Sequence, residues 1–148
     1  MVKVEKGNLL DATEMIIAHQ VNCQKKMNSG VAKAIREKYP IVYEKYLQTK
    51  PILGTSYPIF VNENGDKHII VNMYAQNSYG YDGEQYTDYD AFRQCCREIV
   101  SNCKEASEKI EVAMPYKIAS DRGGADWDKI MDILLEEFID INLTLYKL

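Results

Sequence analysis

Met15-Ile16-Ile17-Ala18-His19-Gln20-Val21 is a nearly continuous apolar run that leads into the polar stretch Asn22-Cys23-Gln24-Lys25-Lys26-Met27-Asn28-Ser29-Gly30. A strand without apolar–polar alternation is expected to be covered on both faces, as strands of parallel sheets are. From Ser29 the period changes: Val31, Ala34, Ile35, Tyr39, Val42, Tyr43 and Tyr46 recur at three- and four-residue spacing. That spacing predicts a helix with one apolar face over 30–47, bent or divided at Pro40 because proline has no N–H to donate and its ring clashes with the preceding turn. A doubly covered strand, a polar loop and an amphipathic helix in succession point to an α/β layered fold.

The rest of the chain extends the alternation. Val2–Glu5 reads as a strand, and Thr55–Val61 and Lys67–Tyr74 read as two antiparallel strands joined through Asn64-Gly65, a strong hairpin turn signal. Thr87 is expected to cap a second helix, with Asp90 in its first turn and Phe92, Cys95, Cys96, Ile99 and Cys103 on its inner face. Glu111–Ile118 reads as a strand. Asp126 caps a third helix carrying Trp127, Ile130, Met131, Leu134 and Phe138, and Ile141–Leu148 closes the chain as a strand. The expected fold is a three-layer α/β/α sandwich with a mixed sheet of about six strands, in one domain spanning 1–148.

Composition narrows the function. The 148 residues carry 18 Lys and Arg against 22 Asp and Glu, a net charge of −4, so no global positive field is available to hold a nucleic-acid backbone. An anionic ligand must be held locally. No apolar run approaches the ~20 residues of a membrane span, and the start Met1-Val2-Lys3-Val4-Glu5-Lys6 lacks the apolar core of a secretory signal. A cytoplasmic protein is expected. Cys23, Cys95, Cys96 and Cys103 form no zinc-type spacing, and the three within the helical pattern read as buried small apolar residues. Neither His19 nor His68 has a second metal ligand nearby in sequence, so no metal site is expected, and His68, in the distal hairpin, is expected to be exposed.

Beyond the carboxyl ends of such strands, loops and helix N-termini form the ligand crevice. The segments there are Gly7-Asn8-Leu9-Leu10, His19-Gln20-Val21-Asn22-Cys23-Gln24 with Ser29-Gly30-Val31-Ala32, Met114-Pro115 with Gly123-Gly124-Ala125-Asp126-Trp127, and Leu145-Tyr146-Lys147-Leu148. In this order, across essentially the whole chain, they resemble the macrodomain family, above all its small single-domain and phage-type members. The resemblance implies binding of ADP-ribose or a related NAD-derived nucleotide over a mixed six-stranded sheet, with no cofactor. It implies ligand contacts from Asn8, Leu9, Gln20, Asn22, Ser29, Gly30, Val31, Ser120, Arg122, Gly123, Gly124 and Tyr146. Asn8 stands where the family receives adenine, Asn22 where it bonds the distal ribose, and Tyr146 offers an aromatic face to the base.

His19 resembles the strand histidine of the phosphatase subgroup, and an imidazole suits water activation at neutral pH. Two activities follow from the resemblance. One is hydrolysis of a distal group such as the 1''-phosphate of an ADP-ribose derivative, with His19 and one of Asp82, Asp88 or Asp121, Asp121 foremost, as acid and base. The other is a non-catalytic module that reads or sequesters ADP-ribose, ADP-ribosylated protein or a NAD-derived signal nucleotide. A monomer is expected in either case.

Two loops depart from the family pattern. Ala119-Ser120-Asp121 stands where relatives commonly have Gly-Cys-Gly, which brings a carboxylate toward the expected diphosphate. Lys25-Lys26-Met27-Asn28 stands where a Gly-Val-Met-Gly type sequence is usual, and its two cations offer local attraction to phosphate. Around Asn72–Gln76 there is no lysine, so the covalent lysine chemistry of the glycohydrolase subgroup is not expected. The tyrosine-rich stretch Tyr79–Tyr89 is placed to cover the distal end of the ligand.

Overall fold

In a computed structural model, residues 1–28, 30–80, 82 and 84–148 are described. The elements are β1 (Val2–Lys6), a short 3-10 turn (Leu9–Asp11), β2 (Ile16–Asn22), α1 (Gly30–Lys38), α2 (Pro40–Gln48), β3 (Ser56–Glu63), β4 (Asp66–Gln76), α3 (Tyr89–Glu105), β5 (Val112–Pro115), α4 (Trp127–Glu137) and β6 (Leu143–Lys147). Among the described residues the strands form a six-stranded sheet in the order β1-β6-β5-β2-β4-β3. All its neighbours pair parallel except β3 and β4, so the sheet is mixed as expected.

The apolar run through β2 is explained by two cores. Ile16 and Ala18 join Val71, Met73, Val112 and Met114 against Phe92, Cys95, Cys96 and Ile99 of α3 and Ile130 and Leu134 of α4. Ile17 and Val21 join Ile70, Tyr74 and Ala113 against Ile35, Tyr39, Val42 and Tyr46 of the α1–α2 layer. Helices therefore cover both sheet faces, and successive β2 side chains enter opposite cores because the strand period is two. Each fully buried aliphatic side chain contributes about 1.5–3 kcal/mol relative to exposure. The three helical cysteines are buried as small apolar residues.

Pro40 divides the first helical region, as its missing donor requires: α1 ends at Lys38 and α2 begins with Pro40 in its first turn. Asp126 caps α4 by accepting from the Asp128 N–H. The cap of α3 is Asp88, which accepts from the Ala91 N–H at 3.0 Å. Thr87, expected in that role, is engaged elsewhere, bridging Gln76 through its backbone and donating its hydroxyl to the Ala119 carbonyl. The strand expected over 111–118 stops at Pro115 because Lys117 and Ala119 adopt left-handed φ values of 65° and 69°, which no strand accommodates.

His68 also differs from expectation. It is buried, its Nδ1 donating to the Glu14 carbonyl at 2.8 Å and its Nε2 lying 3.2 Å from Asp66 Oδ1. β4 begins at Asp66, so His68 already lies within the sheet opposite Val61 rather than at the hairpin tip.

Candidate functional site

A crevice of about 180 Å³ opens at the carboxyl ends of β2, β4 and β5. One wall is the turn between β2 and α1, and Asn22 organises it. Its Oδ1 accepts from the Gln24 N–H at 2.9 Å, and its Nδ2 donates to the Lys26 carbonyl at 2.9 Å. The Tyr46 hydroxyl bonds to the Asn22 carbonyl and lies 2.9 Å from Oδ1, while the Tyr46 ring stacks on Tyr74 with centroids 6.0 Å apart. Burial pushes the Tyr46 hydroxyl pKa up, so it remains a donor at neutral pH. The two loop lysines part company. Lys25, at φ 60°, donates to the Leu47 carbonyl in the last turn of α2, where a cation meets the negative helix end. Lys26 lines the crevice.

The opposite wall is the segment from Tyr116 to Gly123, which replaces the last part of the expected strand. Left-handed residues at 117 and 119 alternate with ordinary ones, and a third follows at Gly124, so the chain turns tightly. The pair Gly123-Gly124 is required by close packing. A Cβ on Gly124 would stand 2.2 Å from the Glu84 carbonyl oxygen, and one on Gly123 would stand 2.3 Å from Thr87 Oγ1. The Gly123 carbonyl also accepts from the Tyr86 and Thr87 N–H groups, seating the loop on the stretch before α3.

The charges of the lining are local and positive. Lys26, Lys117 and Arg122 face one carboxylate, Asp121, so 3 − 1 leaves an excess of two positive charges in a chain of net −4. The floor is uncharged. Gln20 Nε2 donates to Gln76 Oε1 at 2.7 Å and to Thr87 Oγ1 at 2.8 Å. His19 lines the crevice from β2, with Nε2 2.6 Å from Asn72 Oδ1 on β4. Burial holds its imidazole pKa down to about 4 against the opposing effect of the Asn72 hydrogen bond, so the ring is neutral at physiological pH. Among the described residues, no three His, Cys, Asp or Glu side chains cluster in a way that would hold a metal ion.

Of the residues expected to contact ligand or act on it, His19, Gln20, Asn22, Gly30, Val31, Asp121, Arg122 and Gly123 line this crevice. Ser29 lies outside the described residues. Ser120 and Gly124 belong to the same loop but are not in the lining. Asn8, Leu9 and Tyr146 are also outside it: Asn8 Oδ1 accepts from the Leu10 N–H at 3.0 Å, Leu9 is buried in the α1–α2 core, and the Tyr146 hydroxyl donates to Glu14 Oε1 at 2.6 Å. Residues that sequence reasoning passed over are Gln76 and Lys117 in the lining and Asn72 behind His19. Asn72 had a usable signal, since it interrupts Ile69-Ile70-Val71 and Met73-Tyr74 with a side chain that needs a buried partner. Lys117 had none, because its placement depends on a left-handed turn.

No family model and no curated protein sequence matches the chain. Solved structures do. The macrodomain of Mycobacterium tuberculosis DarG superposes with a TM-score of 0.83 over 100% of this chain and 98% of that one, at 19% identity. This chain has the macrodomain fold. A protein of unknown function from Bacteroides thetaiotaomicron has a TM-score of 0.82 and 27% identity, over 100% of this chain and 98% of that one. Thermosipho africanus DarTG, solved in complex with ADP-ribose, matches 98% of this chain with 41% of its own, at a TM-score of 0.80 and 16% identity. The crevice over β2, β4 and β5 is thus set in a macrodomain fold in which loops at the strand ends, rather than the sheet, carry the departures noted in the sequence.

Proposed function

We propose that the crevice binds ADP-ribose or a closely related NAD-derived nucleotide, and that the protein serves as a binding module for this ligand, free or attached to protein. The observation that carries the reading is the pairing of a cationic rim, Lys26, Lys117 and Arg122, with a neutral polar floor, His19, Gln20 and Gln76. Phosphates are held by cations and loop amides, whereas sugar hydroxyls need uncharged hydrogen-bonding groups. The likeness to a fold solved elsewhere with ADP-ribose supports the same ligand class. Binding is favoured over turnover because Gln76, at the end of β4, offers an amide already bonded to Gln20 and to the Ser78 carbonyl rather than a nucleophile.

Hydrolysis of a distal group is the second reading, and it rests on His19 and Asp121 lining the same crevice. Calorimetry with ADP-ribose tests the first: saturable 1:1 heat is expected, and its absence overturns the nucleotide reading. Incubation with ADP-ribose-1''-phosphate tests the second, since released phosphate that disappears in Asp121→Asn would make the protein an enzyme.

A further inference from the structure

Between Asn22 and Asn28 the chain turns out of β2 toward α1 without a glycine, and Lys25 takes a left-handed φ of 60°. A residue with a side chain is strained in that region, so contacts from outside the loop must hold the turn. They come from the end of α2. Lys25 Nζ donates to the Leu47 carbonyl at 2.9 Å, and the neighbouring Tyr46 is buried with its hydroxyl against the loop.

That one hydroxyl reaches three loop residues. It donates to the Asn22 carbonyl, its oxygen stands 2.9 Å from Asn22 Oδ1, and the Lys26 and Lys25 N–H groups are close enough to act on it as donors. Asn22 passes the constraint on. Its Oδ1 accepts from the Gln24 N–H at 2.9 Å and from the Lys26 N–H at 3.4 Å, and its Nδ2 donates to the Lys26 carbonyl at 2.9 Å. Both backbone groups of Lys26 are therefore tied to Asn22, and Asn22 is tied to Tyr46. Lys26 is the cation that this wall brings to the crevice, whereas Lys117 and Arg122 belong to the other wall.

We propose that Tyr46 is a positioning residue for the crevice: acting through Asn22, it fixes the backbone of residues 22–26 so that Lys26 is presented to the phosphates of the ligand, and Asn22 serves that loop rather than touching the ligand. Asn22 borders the crevice, yet its amide oxygen has two lone pairs and the loop occupies both. Tyr46 does not line the crevice at all. Its effect is preorganisation, since a loop already in its binding shape has no ordering cost to meet when the ligand arrives. Removing the hydroxyl leaves the ring to stack on Tyr74, so the core is kept and the loop alone is freed. The phosphates rest on the nucleotide reading; the anchoring of the loop rests on geometry alone.

The test is calorimetry with ADP and with ADP-ribose on the full chain, on Tyr46→Phe, on Lys26→Gln and on the two changes together. Tyr46→Phe is expected to weaken both ligands by the same factor, about three- to tenfold. In the Lys26→Gln background its cost should shrink to less than about twofold, because the cation it presents is gone. A merely structural hydroxyl would lower the unfolding midpoint equally in both backgrounds and leave no such coupling. Asn22→Ala is expected to cost ADP and ADP-ribose alike. Unchanged affinity in Tyr46→Phe, the same factor in both backgrounds, or a loss in Asn22→Ala confined to ADP-ribose, which alone carries the second ribose, overturns the inference. If Asn22→Ala does not fold, Tyr46→Phe supplies the comparison between the two ligands. If the wild type binds neither ligand, the nucleotide reading falls and amide hydrogen exchange decides the rest: faster exchange at Gln24 and Lys26 in Tyr46→Phe supports the anchoring, and unchanged exchange at both overturns it.

Discussion

Acidification should destabilise this protein through His19 by an amount that can be isolated. The imidazole titrates at about 4 in the folded chain against 6.5 for the unperturbed group, because burial disfavours its charged form. Between those two values the unfolded chain binds a proton that the folded chain refuses, so stability falls as the pH falls. The His19 contribution is intact above about pH 6.5 and is lost by about pH 4, below which both states are protonated. The shift of about 2.5 units, at about 1.36 kcal/mol each, amounts to about 3 kcal/mol. This is a large fraction of the 5–15 kcal/mol that typically holds a domain folded, about 3 of it resting on one ring.

The assay is equilibrium urea unfolding of the wild type and His19→Gln from pH 7 down to pH 4. The other ionisable groups are common to both proteins, so their effects cancel in the difference. The wild-type stability minus that of the variant should fall by about 3 kcal/mol across this window, with a slope approaching 1.4 kcal/mol per pH unit near its middle. A difference that stays constant through the window would refute the reasoning, since it would mean that the ring takes up its proton in the folded protein as easily as in the unfolded one.

Lys117→Gly should raise stability by about 0.5–1 kcal/mol, because an exposed side chain at φ 65° pays a left-handed penalty that glycine escapes, less the entropy glycine loses on folding; the same change should weaken ADP-ribose binding by removing a rim cation, two opposite signs that thermal unfolding and calorimetry read separately. Gly124→Ala should cost at least about 2 kcal/mol, since its Cβ would overlap the Glu84 carbonyl at 2.2 Å and its φ of 68° disfavours any side chain; an unchanged unfolding midpoint would show that the 84–87 stretch yields. Asp121→Gly should tighten ADP-ribose binding at low salt and lose the gain at high salt, as removal of a like charge from a phosphate site requires; affinity unchanged at all salt concentrations would place the carboxylate away from the diphosphate.

What could be read from the residues in order was whatever depends on near neighbours. The apolar run 15–21, the three- and four-residue spacing after Ser29, the Asn64-Gly65 turn, the break at Pro40 and the Asp126 cap are each decided within one or two turns of chain, and each appears in the structure. The crevice was legible as the end of β2 and the loops at strand ends, while Gln76 of its floor and Asn72 behind His19 were missed. The partners of His19 and Gln20 lie 53 and 56 residues away on β4, and they meet only because β2 and β4 pair in one particular register, His19 against Asn72. His68 was misplaced for the same reason, since its burial depends on the Glu14 turn lying across the end of β4. Thr87 looked like a cap because its own neighbours permit one, yet its hydroxyl serves the Ala119 carbonyl 32 residues on. Periodicity and turn chemistry act through covalent neighbours and so leave a trace in sequence. Hydrogen-bond partners and the tight seat of Gly123-Gly124 are settled by which strands and loops lie side by side, and the same local pattern is compatible with many such arrangements until the two cores close on the sheet.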